Sequence, residues 1–343
     1  MSTTQRIAWI DVVKGLMLFF ICLSHYGGLP STVHPFVSPT ATYWVPCFII
    51  LSGYLYDDHR NISFKEHVLR KTHTLLFPYI FFCFLFILID WNTFLHSDTI
   101  YDNLYQAFVT GIGVDKASPL WFVLALYITN VAAYWLEKFW KRPLILGALI
   151  ALLSILSFIF SEYEFNLPLL IHLLPASLVF FVGGTFIRKV VESESLYGYK
   201  RKYLVLLTLC GGGGFLGFFV NLGDFHLCIV QSYPLCFLCP LSMTLAISMM
   251  LTKTTLSNRD MFSRAMMWVA RNGIVVLASH VYLIIIIKFV IKKQIADESW
   301  ASFGIKTIFV FGMIYVFIVP FMNTFAYKAI GKKKTSWKDN YKL

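Results

Sequence analysis

The fold class the sequence predicts is all-α, a polytopic integral membrane protein of about ten transmembrane helices in one bundle. Three observations predict it. Of 343 residues 58% are hydrophobic and 14% charged, and mean hydropathy is +0.68, a balance that soluble globular domains do not carry. Apolar windows of about 20 residues, the length that crosses a hydrocarbon core, are centred near Phe20, Ile50, Phe84, Tyr127, Leu152, Val179, Leu209, Leu238, Leu283 and Phe317. The polar segments between them are short, the longest being 89–119, 188–203 and 252–272. Residues 1–343 are therefore read as a single transmembrane domain, with no separate soluble domain and no internal repeat.

Charge placement supports the layering. The net charge of +11 sits in short segments between apolar runs rather than on an interleaved basic and aromatic surface, which is the pattern of membrane topology and not of nucleic-acid binding. With the N-terminus inside, 23 of the 29 Lys and Arg fall on the cytoplasmic side; Lys116, Lys288, Lys292, Lys293 and Lys306 fall outside, and Lys14 lies in the first helix. That asymmetry predicts an even number of spans with both termini cytoplasmic. The lysines after the ninth span run against it, and either snorkelling from helix ends or a miscounted span accounts for them. Trp44, Trp91, Trp121, Trp135, Trp140 and Trp300 fall near predicted span ends, the depth that indoles favour. No small-residue cleavage motif follows the first apolar run, so no signal peptide is expected. The seven cysteines lie mostly in apolar runs as small hydrophobes. Cys236 and Cys239 have metal or redox spacing but no second pair, and neither role is expected of them.

Along the chain, the first span carries Asp11, Lys14 and His25 on one face. At about 100° per residue Lys14 and His25 stand about 1100° apart, three turns and about 20° off register, with His25 about 16 Å further along the axis. The uncharged stretch 15–26 is too short to cross a bilayer, so the span takes in Asp11 and Lys14 or holds them at its edge. Ionisable groups at that depth are expensive and face a protein or water-filled interior. An imidazole titrates near neutrality and can serve as general base on a hydroxyl; it also occurs simply as an interfacial residue. Lys14 needs a partner, which Asp11 at i−3 supplies, and a self-neutralised structural pair is the plain alternative.

The second span ends in Ser52-Gly53-Tyr54, and Arg70-Lys71-Thr72-His73 leads into the third. Basic residues there either fix topology or bind an anion, because Arg70 and His73 are one turn apart and can grip a phosphate from one face. Gly211 to Gly214 have no following Lys-Ser or Lys-Thr and read as close helix packing rather than a phosphate cradle. Asp115 and Lys116 before the fourth span, and Asp224 and His226 after the seventh, read equally as solvated loops or as contacts to a sugar. Asn272-Gly273 opens the ninth span, and Ser279-His280 falls about two turns into it; a polar pair among Ile, Val and Leu predicts a bundle-facing position, for structural hydrogen bonding or for positioning an acceptor.

Taken in order, Arg6-x4-Asp11-x2-Lys14-Gly15, His25 eleven residues after Lys14, Phe48-x3-Ser52-Gly53-Tyr54, Arg70-x7-Pro78-Tyr79 and Leu120-Trp121-Phe122 resemble the integral-membrane acyltransferase 3 family. The resemblance implies a multi-pass enzyme of the cytoplasmic (inner) membrane that moves an acyl group, commonly acetyl, from acetyl-CoA or another acyl-CoA co-substrate to a hydroxyl of a carbohydrate or lipid-linked glycan of the cell envelope. No bound cofactor and no metal are implied. His25 matches the essential histidine and is the expected catalytic base, and Asp11, on the same stripe one turn before Lys14, is the other expected catalytic residue. Lys14 stands where the family usually has arginine, and Arg70, Lys71 and His73 complete the expected donor-binding set. His73 replaces the second arginine of the family's pair. Ser52, Tyr54, Trp121, Asn272 and His280 are the expected groups for carbonyl stabilisation or acceptor positioning. In the implied mechanism the cytoplasmic cations hold the phosphates of coenzyme A, the thioester reaches His25, and transfer runs directly or through an acyl-histidine. Two rivals come from other classes. Buried charge in a polytopic bundle also suits a secondary transporter or flippase of an envelope precursor, although paired broken helices in two halves are not seen. The other rival is a non-catalytic membrane sensing domain.

Overall fold

The computed structural model describes residues 7–40, 42–56, 62–89, 97–114, 119–193, 200–225, 227–253, 260–291 and 296–341. The main helices are α1 (Ala8–Ser24), α2 (Trp44–Tyr54), α3 (Phe64–Ile89), α4 (Trp121–Leu136), α5 (Pro143–Glu162), α6 (Leu174–Val191), α7 (Lys200–Leu216), α8 (Leu235–Lys253), α9 (Met261–Arg271), α10 (Gly273–Ile291) and α11 (Trp300–Phe325). A short antiparallel hairpin pairs Gly223 with Val230 and Asp224 with Ile229 between α7 and α8. It is the only sheet among the described residues.

Six of these helical stretches are long and apolar enough to cross a membrane: Phe64–Ile89, Pro143–Glu162, Pro168–Val191, Leu235–Thr252, Gly273–Ile291 and Trp300–Phe325. The other four expected centres also fall in helices, but α1, α2, α4 and α7 have 17, 11, 16 and 17 residues, short of the roughly 20 that a crossing takes. Length and composition therefore show six spans among the described residues, where ten were expected. Burial explains three of the short helices. Every residue of α2 except Ser52 is buried, and α1 and α4 bury most of their inner faces, whereas α5 buries only Leu146, Ser154 and Ser157. A helix enclosed by protein need not match the thickness of the hydrocarbon, because its ends meet neighbours rather than lipid.

Two glycines of the sequence motifs set how closely the short inner helices pack. A methyl group on Gly15 would fall 2.0 Å from the carbonyl oxygen of Met266, and one on Gly53 would fall 1.9 Å from that of Phe181. Only a hydrogen side chain lets α1 lie so close to α9, and α2 to α6. The four-glycine run of α7 behaves differently. Gly211 and Gly212 face open space, Gly213 is in ordinary contact with Ser242, and Gly214 alone packs hard, against Met243.

Lys306, counted among the outer cations, lies inside α11 with 0% exposure. Its ammonium pairs with Asp297 and donates to the backbone carbonyls of Tyr26 and Asp297 (3.4 Å each). An ion pair accounts for its place, so it carries no weight as a topological loop charge. Lys288 sits in the last turn of α10 against Gly27, where an added methyl would meet its ammonium. Arg6, Arg60, Trp91, Asp115, Lys116, His226, Arg259, Lys292 and Lys293 lie outside the described residues.

Candidate active site

His25 ends α1 as its C-cap, held by a backbone N–H bond to Cys22 (3.3 Å). The chain then turns away at Gly27, whose φ of +82° is open to glycine at little cost. The ring is half-buried. Its Nδ1 lies 2.8 Å from the carbonyl oxygen of Ile21 one turn earlier. A carbonyl only accepts, so Nδ1 is the protonated nitrogen and the lone pair is on Nε2. Ser24 Oγ is 3.3 Å from the same Nδ1 and itself donates to Ile21 (2.7 Å).

The second imidazole comes from α10. His280 has 0% exposure, its Nδ1 donates to the Val276 carbonyl (3.1 Å), and its Nε2 stands 3.4 Å from His25 Nδ1. The rings meet edge to face, with centroids 5.0 Å apart at 73°. Ser279, beside it in sequence, donates to the Val275 carbonyl (2.7 Å) and stays within its own helix.

The inner part of the bundle holds a cavity of about 240 Å³, walled by α1, α2, α3, α4, α9, α10 and the segment after α11. Lys14, Arg271 and Lys332 supply its charge, Ser52 and Asn272 its neutral polar groups, and no Asp or Glu is among its lining residues. Lys71, half-buried on α3, lies within electrostatic reach of Lys14. Lys332 arrives from beyond α11. It donates to Asn272 Oδ1 (2.6 Å) and Asn323 Oδ1 (3.2 Å), while Asn323 Nδ2 donates to Asn272 (3.1 Å) and Asn340 (2.7 Å). Trp268 closes the net by donating to the Asn340 carbonyl (3.2 Å). Gly331 (φ +67°) lies against the backbone of His73 and Thr74, and on either side of it Ile330 and Lys332 form part of the cavity wall.

Toward the other end the cavity becomes apolar, at Leu18, Phe122 and Leu277. His280 is three residues beyond Leu277 and His25 seven beyond Leu18, about 4.5 Å and 10 Å further along their helices. The cavity thus has a cationic end and an apolar end, and the imidazole pair lies past the apolar one.

The expected site residues fall into groups. Lys14, Ser52 and Asn272 share the cavity, and His25 and His280 share the imidazole pair. Asp11 is half-buried one turn before Lys14. Ser52 accepts from Asn130 Nδ2 (3.3 Å) at the level of Lys14, and Tyr54 packs edge-on against Trp9 (5.3 Å), sixteen residues or about 24 Å of helix from His25. Trp121 is buried at the opposite end of the bundle, tilted against Phe225 of the hairpin (6.2 Å). Arg70 and His73 turn outward. Arg70 is exposed and bound to Glu66 (2.6 Å), and His73 is exposed and packs edge-on against Phe77 (5.0 Å). A π-helical turn follows at Thr72–Leu76; Lys71 and Thr72 are half-buried while Arg70 and His73 on either side of them are exposed. Arg271 and Lys332 belong to the cavity but read in the sequence as ordinary topological cations; the polar pair Asn272-Gly273 was the nearest signal.

No curated protein and no solved structure matches the chain. The family model described as an acyltransferase domain matches residues 7–322, nearly its whole length. A helical bundle with six apolar spans among the described residues is in keeping with that match, and the chain belongs to the acyltransferase 3 family of membrane acyltransferases.

Proposed function

We propose that the protein transfers an acyl group, acetyl in the first instance, from acyl-CoA to a hydroxyl of a carbohydrate or lipid-linked glycan of the envelope. It does so in the cytoplasmic membrane, with both termini cytoplasmic and His25 as general base. The tautomer of His25 carries this reading: with Nδ1 committed to Ile21, Nε2 is the basic nitrogen and is able to take a hydroxyl proton. The acceptor oxygen attacks the thioester carbonyl carbon, the carbon–sulfur bond breaks, and the leaving thiolate takes up the proton that His25 received. Lys14, Arg271, Lys332 and Lys71 suit the phosphates of coenzyme A, and the apolar end suits its uncharged arm. About 16 Å of helix separates Lys14 from His25, the separation that a charged head and a reactive tip require. The thioester passes Leu18, Phe122 and Leu277 to reach the imidazole.

The test is release of free thiol from acetyl-CoA by the full chain in lipid nanodiscs, with a panel of candidate glycans. His25→Ala is expected to lower kcat by about 10²- to 10⁴-fold, and Lys14→Ala to raise KM for acetyl-CoA. Unchanged turnover in His25→Ala removes the base. Movement of a labelled glycan across the vesicle wall without ester formation favours the transporter.

A further inference from the structure

We infer that His280 is a positioning residue for His25, holding the imidazole of α1 in its reactive orientation and accepting from its Nδ1–H while the ring carries the proton taken from the acceptor. The inference rests on His25 being the base and goes one step past it.

The geometry is directional. His280 Nδ1 faces the Val276 carbonyl (3.1 Å), so that nitrogen bears the hydrogen and Nε2 bears a lone pair. The lone pair faces His25 Nδ1 at 3.4 Å, and His25 Nδ1 is itself a donor because Ile21 accepts from it. Donor meets acceptor without either ring changing tautomer. Three acceptors, Ile21 O, Ser24 Oγ and His280 Nε2, thus surround one N–H. All three face Nδ1, which leaves the lone pair on Nε2. When His25 takes a proton on Nε2, positive charge is shared with Nδ1–H, which already faces lone pairs. A carboxylate plays this part in hydrolytic triads. In a bundle interior a neutral imidazole does so without burying a second charge.

His280 is also well placed to hold a fixed position. It has 0% exposure, and its neighbours Val276, Leu277 and Ala278 on α10 are buried as well. Its own backbone bond sets the ring orientation, and by analogy with the outer partners that orient metal-bound imidazoles, worth about 10- to 100-fold, the same scale is expected of His280.

The experiment compares wild type with His280→Leu, His280→Gln and His25→Ala, full-length in nanodiscs. It reads thiol release from acetyl-CoA, thermal unfolding, and ¹⁵N chemical shifts of labelled histidine. His280→Leu is expected to lower kcat about 10- to 100-fold with KM for acetyl-CoA unchanged. His280→Gln, whose side-chain carbonyl can still accept from Nδ1–H, is expected to recover most of that loss. The His25 resonances should report the Nδ1–H tautomer in wild type and in His280→Gln, and a tautomer mixture in His280→Leu. A kcat for His280→Leu within twofold of wild type, or equal losses in both variants that track the unfolding temperature, overturns the inference. If His25→Ala retains turnover, the base assignment fails instead, and the tautomer signal still decides whether His280 holds the ring.

Discussion

The two ends of α1 handle charge in opposite ways. At one end Lys14 shares a cavity with Arg271 and Lys332, and no carboxylate is among the lining residues. At the other end, just past His25, Lys306 has no exposure and is met by the Asp297 carboxylate and two backbone carbonyls. A cation that is buried and saturated with protein acceptors has little capacity left for a ligand; its role is to hold the Tyr26 turn, and with it the end of α1, in place. Cations around an open cavity still present N–H donors and positive charge to an anion that enters it. The Lys14 end is thus open to a ligand, and the Lys306 end is built to keep His25 still.

That contrast breaks most sharply at the pair of Lys306 and Asp297. Asp297→Ala leaves the Lys306 ammonium buried with only two distant carbonyls, and removing one partner of a buried pair costs on the order of 3 kcal/mol. Lys306→Met removes the buried charge instead and leaves a carboxylate with 55% of its side chain exposed to solvent, which is far cheaper to accommodate. Thermal unfolding in nanodiscs should therefore rank Asp297→Ala well below Lys306→Met, with KM for acetyl-CoA unaltered in the protein that remains folded. Equal unfolding temperatures would mean that Asp297 does not compensate the buried charge.

The Lys14 end should show the reverse pattern. Arg271 is exposed at the mouth of the cavity, so Arg271→Ala leaves the fold intact. It should raise KM for acetyl-CoA by roughly tenfold, the equivalent of one charge-assisted hydrogen bond, and the difference should shrink in high salt as the exposed charge is screened. Lys332→Met should raise KM similarly but also lower the unfolding temperature, because Lys332 ties Asn272 to Asn323. A change in kcat alone for either variant would detach this cavity from donor binding.

The same contrast separates what was legible in the sequence from what was not. Helices and their centres follow from runs of apolar residues, and the stripe of Lys14 and His25 follows from helical period, because both signals are local. The shortness of α2 and α4 was hidden, and that of α1 showed only in its uncharged stretch: an apolar run reads alike whether lipid or protein surrounds it, and only tertiary packing, such as that at Gly15 and Gly53, decides which. Lys306 and Lys332 were illegible for a related reason. A lysine at the edge of an apolar run looks the same whether it snorkels, pairs with Asp297 or is folded back onto Asn272, since its partner lies nine residues away in one case and sixty in the other. His280 was visible as a polar residue facing the bundle, but its partner His25, 255 positions earlier, comes only with the tertiary fold.

The smallest expected effect bears on which inner cations matter. Arg70 and His73 sit one turn apart in sequence, as a phosphate clamp would require, yet both face outward, Arg70 toward Glu66 and His73 toward Phe77. Removing Arg70 forfeits an exposed i,i+4 pair worth about 0.3 to 0.5 kcal/mol, and removing His73 forfeits one edge contact. Lys71 lies between them in sequence and is turned inward, near Lys14. Arg70→Ala and His73→Ala should therefore leave KM for acetyl-CoA within about twofold of wild type, the scale of surface substitutions, while Lys71→Ala raises it. The outcome does not depend on net charge, since Arg70→Ala and Lys71→Ala each remove one positive charge from the same helix and differ only in where that charge points. If Arg70→Ala matched Lys71→Ala, cations at this end of the bundle would act through their summed field, and the cavity would lose its claim to be where the phosphates bind.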